Sequence, residues 1–237
     1  MTNGRLWNSV VTQMLMVTAV VIAPGISSAT TILDFSKLNT TPLTVSHDGT
    51  THQTTLNTLS PYQVTISNGV ASGMDGTAYL FLVNVQSTNI PNASLQSQDG
   101  FAGRFIFSKS NTFANATVGA NLILQVDVGN AVFDLSSSAG NFSASNDSGK
   151  TLTLQSAYAT FSGNQTFTME FSGITPPSQF SNPDQSFGPI NLEATGGATA
   201  GLVVAVPEPS TLAAAALGIL IAVQALRRQS RRIHENS

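Results

Sequence analysis

The sequence predicts an all-β fold, a two-sheet antiparallel β-sandwich of jelly-roll character, on three observations. Apolar and polar residues alternate in short runs, turn-forming Gly, Asn, Asp and Pro separate those runs, and no internal stretch carries an apolar stripe of helical period. Composition points the same way. The 237 residues include 27 Thr, 28 Ser and 18 Asn, while 13 Phe stand ready for a core. Only 9% of residues are charged and cysteine is absent, so burial rather than disulfides must hold the fold.

Taken in order, residues 31–35 and 63–67 read as short alternating strands, and 78–85 as a longer, more buried one. Residues 103–108 and 122–128 follow, and Gly129-Asn130 is expected to turn the chain into 131–135. Residues 141–145 and 151–155 flank Asn146-Asp147-Ser148-Gly149, whose Asp and Gly tolerate a tight turn and predict a hairpin. After 157–161, residues 165–171 place Phe167, Met169 and Phe171 on one face and Thr166, Thr168 and Glu170 on the other. Pro176 to Pro183 reads as a long loop before strands at 189–195 and 198–206. A barrel or a solenoid is the alternative architecture, but no repeat of fixed period supports a solenoid.

The two ends read as addresses. Arg5, an apolar run from Val10 to Ala23, Pro24-Gly25 and small residues up to Ala29 have the layout of a secretory signal peptide, an N-terminal signal helix cut after Ala29. At the other end Pro207, Glu208 and Pro209 precede an apolar stretch from Leu212 to Leu226, followed by Arg227, Arg228, Arg231 and Arg232. The arginines keep that end cytoplasmic and the preceding domain outside. Fifteen helical residues rise about 22 Å against a hydrocarbon core of about 30 Å, a marginal transmembrane helix suited to a segment held for processing. The chain thus divides into a signal peptide at 1–29, an exported domain at 30–206 and a sorting segment at 207–237.

This C-terminal order resembles the PEP-CTERM sorting signal of exported bacterial proteins. The resemblance implies that Pro207, Glu208 and Pro209 are read by a membrane-embedded exosortase, which removes the tail. It further implies a single-pass precursor displayed at the cell surface or released, in bacteria that commonly make exopolysaccharide. The same C-terminal pattern also carries an ice-binding label that says nothing of the domain before it.

The exported domain holds Lys37, Arg104, Lys109 and Lys150 against ten carboxylates, a net charge of −6 that disfavours nucleic acid. His47 and His52 flank Asp48, but no third histidine or cysteine completes a zinc set in the domain, and they read as surface residues of a polar turn. Asp48, Asp75, Asp99, Asp134 and Asp147 lie near glycines or loop starts and leave room for one structural calcium without the density of a dedicated loop. Nucleophile-elbow, P-loop, zincin and dinucleotide motifs are missing, so no catalytic residue, cofactor or metal site is assigned. The only tryptophan, Trp7, lies in the signal peptide, leaving Tyr62, Tyr79 and Tyr158 for sugar contacts. The expected function is a structural or adhesive surface protein of an exopolysaccharide or biofilm matrix, with exosortase and extracellular polysaccharide as partners. The rival expectations are a carbohydrate-binding module, a secreted carbohydrate-active enzyme and an ice-binding protein, the last weakened because Thr50-Thr51 and Thr54-Thr55 build no repeat.

Overall fold

The structure, a computed structural model, describes residues 29–38, 42–58, 60–147 and 149–205. Eleven strands follow in chain order: β1 (Thr30–Lys37), β2 (Leu43–Asp48), β3 (Gln53–Thr58), β4 (Tyr62–Ser67), β5 (Gly76–Ser87), β6 (Ser97–Ser108), β7 (Leu122–Leu135), β8 (Gly140–Ser145), β9 (Thr151–Gln155), β10 (Ala159–Thr175) and β11 (Phe187–Ala205). Two short helical turns, α1 (Phe113–Ala116) and a 3-10 turn at Gly119–Asn121, interrupt the connection from β6 to β7. The predicted all-β class is correct. The two separate sheets expected of a sandwich are instead one hydrogen-bonded sheet of eleven antiparallel strands.

That sheet closes on itself, and three long strands, β5, β7 and β11, each carry two successive neighbours along one edge. β11 pairs with β2 through Phe187 to Leu192 and, further along the same edge, with β1 through Gly196 to Ala200. β2 leads through β3, and β1 through β4, to successive portions of β5. β5 pairs β6, β6 pairs β7, and β8 links β7 to β10, which runs beside β11 to complete the circuit. Closure leaves few free strand edges to template aggregation.

The long strands explain where the sequence boundaries moved. Residues 122–128 and 131–135 are one strand, and Asn130, at φ 59°, puckers it where a turn was expected. Likewise 157–161 and 165–171 merge into β10, and the two last predicted strands into β11. The hairpin expected around residues 146–149 does not form. β8 and β9 lie end to end along the same edge of β7, and the segment between them is an excursion from a single return path. Residues 46–52, read as a polar turn bearing surface histidines, are the end of a β2–β3 hairpin whose two strands the sequence reading did not assign.

Inside the ring is a phenylalanine-rich core. Phe101, Phe105, Phe107, Phe133, Phe142, Phe167 and Phe180 are almost fully buried. Rings from different walls meet in offset contacts, Phe35 with Phe107 at 4.9 Å and Phe105 with Phe167 at 4.9 Å between centroids, separations suited to tilted aromatic packing. Alternation assigns the faces: Phe167, Met169 and Phe171 point in, while Thr166, Thr168 and Glu170 point out, as the sequence predicts.

Candidate functional site: a threonine-lined face and a sorted tail

The outward faces of β1, β11 and β10 form a shallow concavity of about 380 Å³. Register builds it in rows. Thr199 lies opposite Thr31 on one side and Thr166 on the other, Gly197 sits between Asp34 and Thr168, and Thr195 faces Glu170. Gly197 is the floor, since a Cβ there would come within 2.7 Å of an Asp34 carboxylate oxygen and 2.9 Å of the Leu33 carbonyl.

Around that floor the polar groups differ in freedom. The Thr166 and Thr199 hydroxyls hydrogen-bond to each other at 2.8 Å, and Asp34 accepts a 2.8 Å bond from the Asn68 amide. Thr168, Thr195 and Glu170 make no side-chain hydrogen bond within the described residues, so two hydroxyls and a carboxylate are available to a ligand. Glu193, on the same outer face of β11, is taken up by an ion pair with Lys37. Hydroxyls that donate and accept, beside a carboxylate acceptor, suit a hydroxyl-rich neutral molecule.

The singled-out residues scatter. His47 is buried on β2, not on the surface: Nδ1 lies 2.8 Å from the Thr54 hydroxyl, Nε2 lies 2.9 Å from the Pro183 carbonyl, and its ring packs against Phe180 and Phe187. His52 Nδ1 reaches the same carbonyl at 3.3 Å. The two histidines therefore fasten the Pro176–Ser186 loop to the barrel. Four of the five aspartates have local partners. Asp48 caps its own turn by accepting from Thr50 N–H at 2.9 Å, and this bond, with help from Thr51, holds its carboxyl below the usual carboxylate range. Asp75 accepts from Gly69 N–H, and Asp99 from the Asn89 amide. Burial raises Asp134, against the opposing bond from Asn141. No group of three His, Asp or Glu among the described residues gathers to hold a metal.

The tyrosines stand away from the concavity. Tyr62 is fully buried and accepts the Ala194 N–H at 2.9 Å; Tyr79 is half-buried beside Phe81 and Ile106; Tyr158 donates to the Ala120 carbonyl with Lys109 4.8 Å above its ring. Sequence reasoning missed the threonine face because it is assembled from three strands. Its one visible signal was the outward Thr166, Thr168 and Glu170 of β10.

Ala29 is exposed immediately before β1, so a cut after it leaves every strand whole. Residues 1–28, Pro207, Glu208, Pro209, the Leu212 to Leu226 stretch and the four arginines lie outside the described residues. The described fold is that of an all-β protein, and the sequence that follows it carries a separate signal. Residues 205–232 match the PEP-CTERM protein-sorting motif. The match begins at Ala205, the last residue of β11 and of the described strands. It supports an exported protein sorted to the cell surface through exosortase. No curated protein and no solved structure matches the chain.

Proposed function

We propose that the chain is a non-catalytic surface protein of an extracellular polysaccharide matrix, exported with a cleaved signal peptide and held in the membrane by Leu212 to Leu226 until exosortase removes the tail. The observation that carries the export and sorting is the motif at 205–232. The matrix role draws on the open concavity of the β1–β11–β10 face, where Thr168, Thr195 and Glu170 offer hydrogen bonds to sugar hydroxyls. Without an aromatic platform at that face each contact is weak, and affinity comes from many displayed copies engaging one polymer. An ice-binding plane would need an extended threonine lattice, and here Asp34, Gly197 and Glu170 interrupt the threonine rows.

The test is binding of the exported domain, presented at high density on beads, to neutral and acidic polysaccharides with and without calcium. Retention of neutral polymers is expected, with at least a tenfold loss in Thr168→Ala/Thr195→Ala/Glu170→Gln and no change in melting temperature, because all three side chains point outward. Equal retention by the triple variant would remove this face from the function. Binding that needs calcium would instead redirect attention to the loop aspartates.

A further inference from the structure

Both ends of the described domain leave the barrel at one end. Thr30 pairs with Ala200 near the close of β11, and Ala205 pairs with Ala159 at the start of β10. The connection from Lys109 to Asn121 sits at that same end: Ala157 N–H bonds to the Leu122 carbonyl, and Tyr158 to the Ala120 carbonyl. This connection carries Phe113 and Val118, exposed at 57% and 58% although large and apolar. It contains one cation, Lys109, and no carboxylate, in a domain otherwise rich in acids. Only residues 206–211 separate β11 from the apolar stretch starting at Leu212, a reach of about 20 Å even when fully extended.

We infer that the Lys109–Asn121 connection rests on the outer leaflet of the bilayer that holds residues 212–226, with Phe113 and Val118 entering the interface and Lys109 at headgroup level. This inference rests on the proposal that the precursor is membrane-held, and adds to it a fixed orientation of the barrel. Apolar side chains beside a cation suit the headgroup boundary, where exposed rings leave water without losing hydrogen bonds. The short tether supplies the high local concentration that two side chains would not achieve alone. In this pose the Pro207 to Pro209 motif stays close to the membrane surface, within reach of a membrane-embedded peptidase.

The opposite end gives an internal control, because Ile90 and Leu95 are exposed there at 67% and 71%. The chain has no cysteine, so Phe113→Cys, Val118→Cys and Leu95→Cys each take a single fluorescent label. In the full chain reconstituted into vesicles containing lipids brominated near the headgroup, labels at 113 and 118 should be quenched several-fold more than the label at 95. Equal quenching at all three, or more at 95, would overturn the orientation. Amide exchange on the unmodified chain gives an independent reading: protection across 109–121 should rise in vesicles relative to a chain ending at 205, and unchanged protection also overturns the inference. Resistance of the full chain to carbonate extraction is scored alongside. A retained chain with silent labels defeats only the orientation, whereas an extracted chain defeats the membrane-held precursor as well.

Discussion

Tyr62 shows how a single polar atom is tolerated in an aromatic interior. Its ring fills the core while its oxygen accepts the Ala194 N–H of β11. Burial pushes the phenol above its ordinary value, the Ala194 bond opposes this, and the nearby Glu193 charge adds to the rise. Tyr62→Phe keeps the ring and leaves that N–H buried without an acceptor, a loss of about 1–3 kcal/mol that denaturant unfolding at neutral pH will measure. The sign at alkaline pH follows from linkage. The unfolded chain releases the phenolic proton at about pH 10 while the folded chain still holds it, so folding stability falls as pH rises from there to the raised value. Tyr62→Phe should lack that decline, and the gap between variant and parent should narrow. A gap that stays constant with pH would mean that Tyr62 does not titrate differently in the two states.

At the scale of elements, the break between β8 and β9 is matched by a bulge in β10. Gly163, at φ 73°, and Asn164 step out of register between Ser162 and Gln165, where β11 brings Gly201 against Gly163. Asn146 fills the gap: its Oδ1 accepts the Gln165 N–H at 2.8 Å and its Nδ2 donates to the Gly163 carbonyl at 2.8 Å. Gln165 in turn accepts from the Leu154 N–H of β9 at 3.2 Å, so Asn146 and Gln165 together join the end of β8 to β10 and β9. Asn146→Ala should cost about 1–3 kcal/mol and speed amide exchange at Gln165 and Leu154, with Phe105 and Phe107 unaffected. Uniform acceleration through the barrel would show that the tie is not local. The same place explains why a hairpin looked natural in the sequence. A bend does form at this point, with Lys150 N–H bonding to the Asp147 carbonyl, but the chain resumes its direction in β9. Turn chemistry fixes a bend, but pairing partners depend on β7 being long enough to receive both β8 and β9.

At the scale of the whole molecule, the alternation that made the strands legible is a local property, whereas closure of the ring is not. The inward Phe167, Met169 and Phe171 could be read from period-two spacing. Merging 189–195 with 198–206 could not, because Gly196 and Gly197 look like a break until β1 and β10 approach their backbone on both sides. For the same reason the threonine face was invisible while its β10 row was in plain view. The sorting motif at 205–232 needed no tertiary information, since it is a run of contiguous residues. This separation makes a prediction about maturation. Cutting after Ala29 and beyond Ala205 removes no described strand, so a chain trimmed to 30–205 should melt within a few degrees of the full chain. The surface form should show by intact mass the loss of both the leader and the arginine-bearing tail, and Ala substitution of Pro207, Glu208 and Pro209 should leave the tail attached. Recovery of the parent surface form with Arg227 to Arg232 still present would refute exosortase processing. A strongly destabilised 30–205 chain would show that the terminal segments belong to the fold after all.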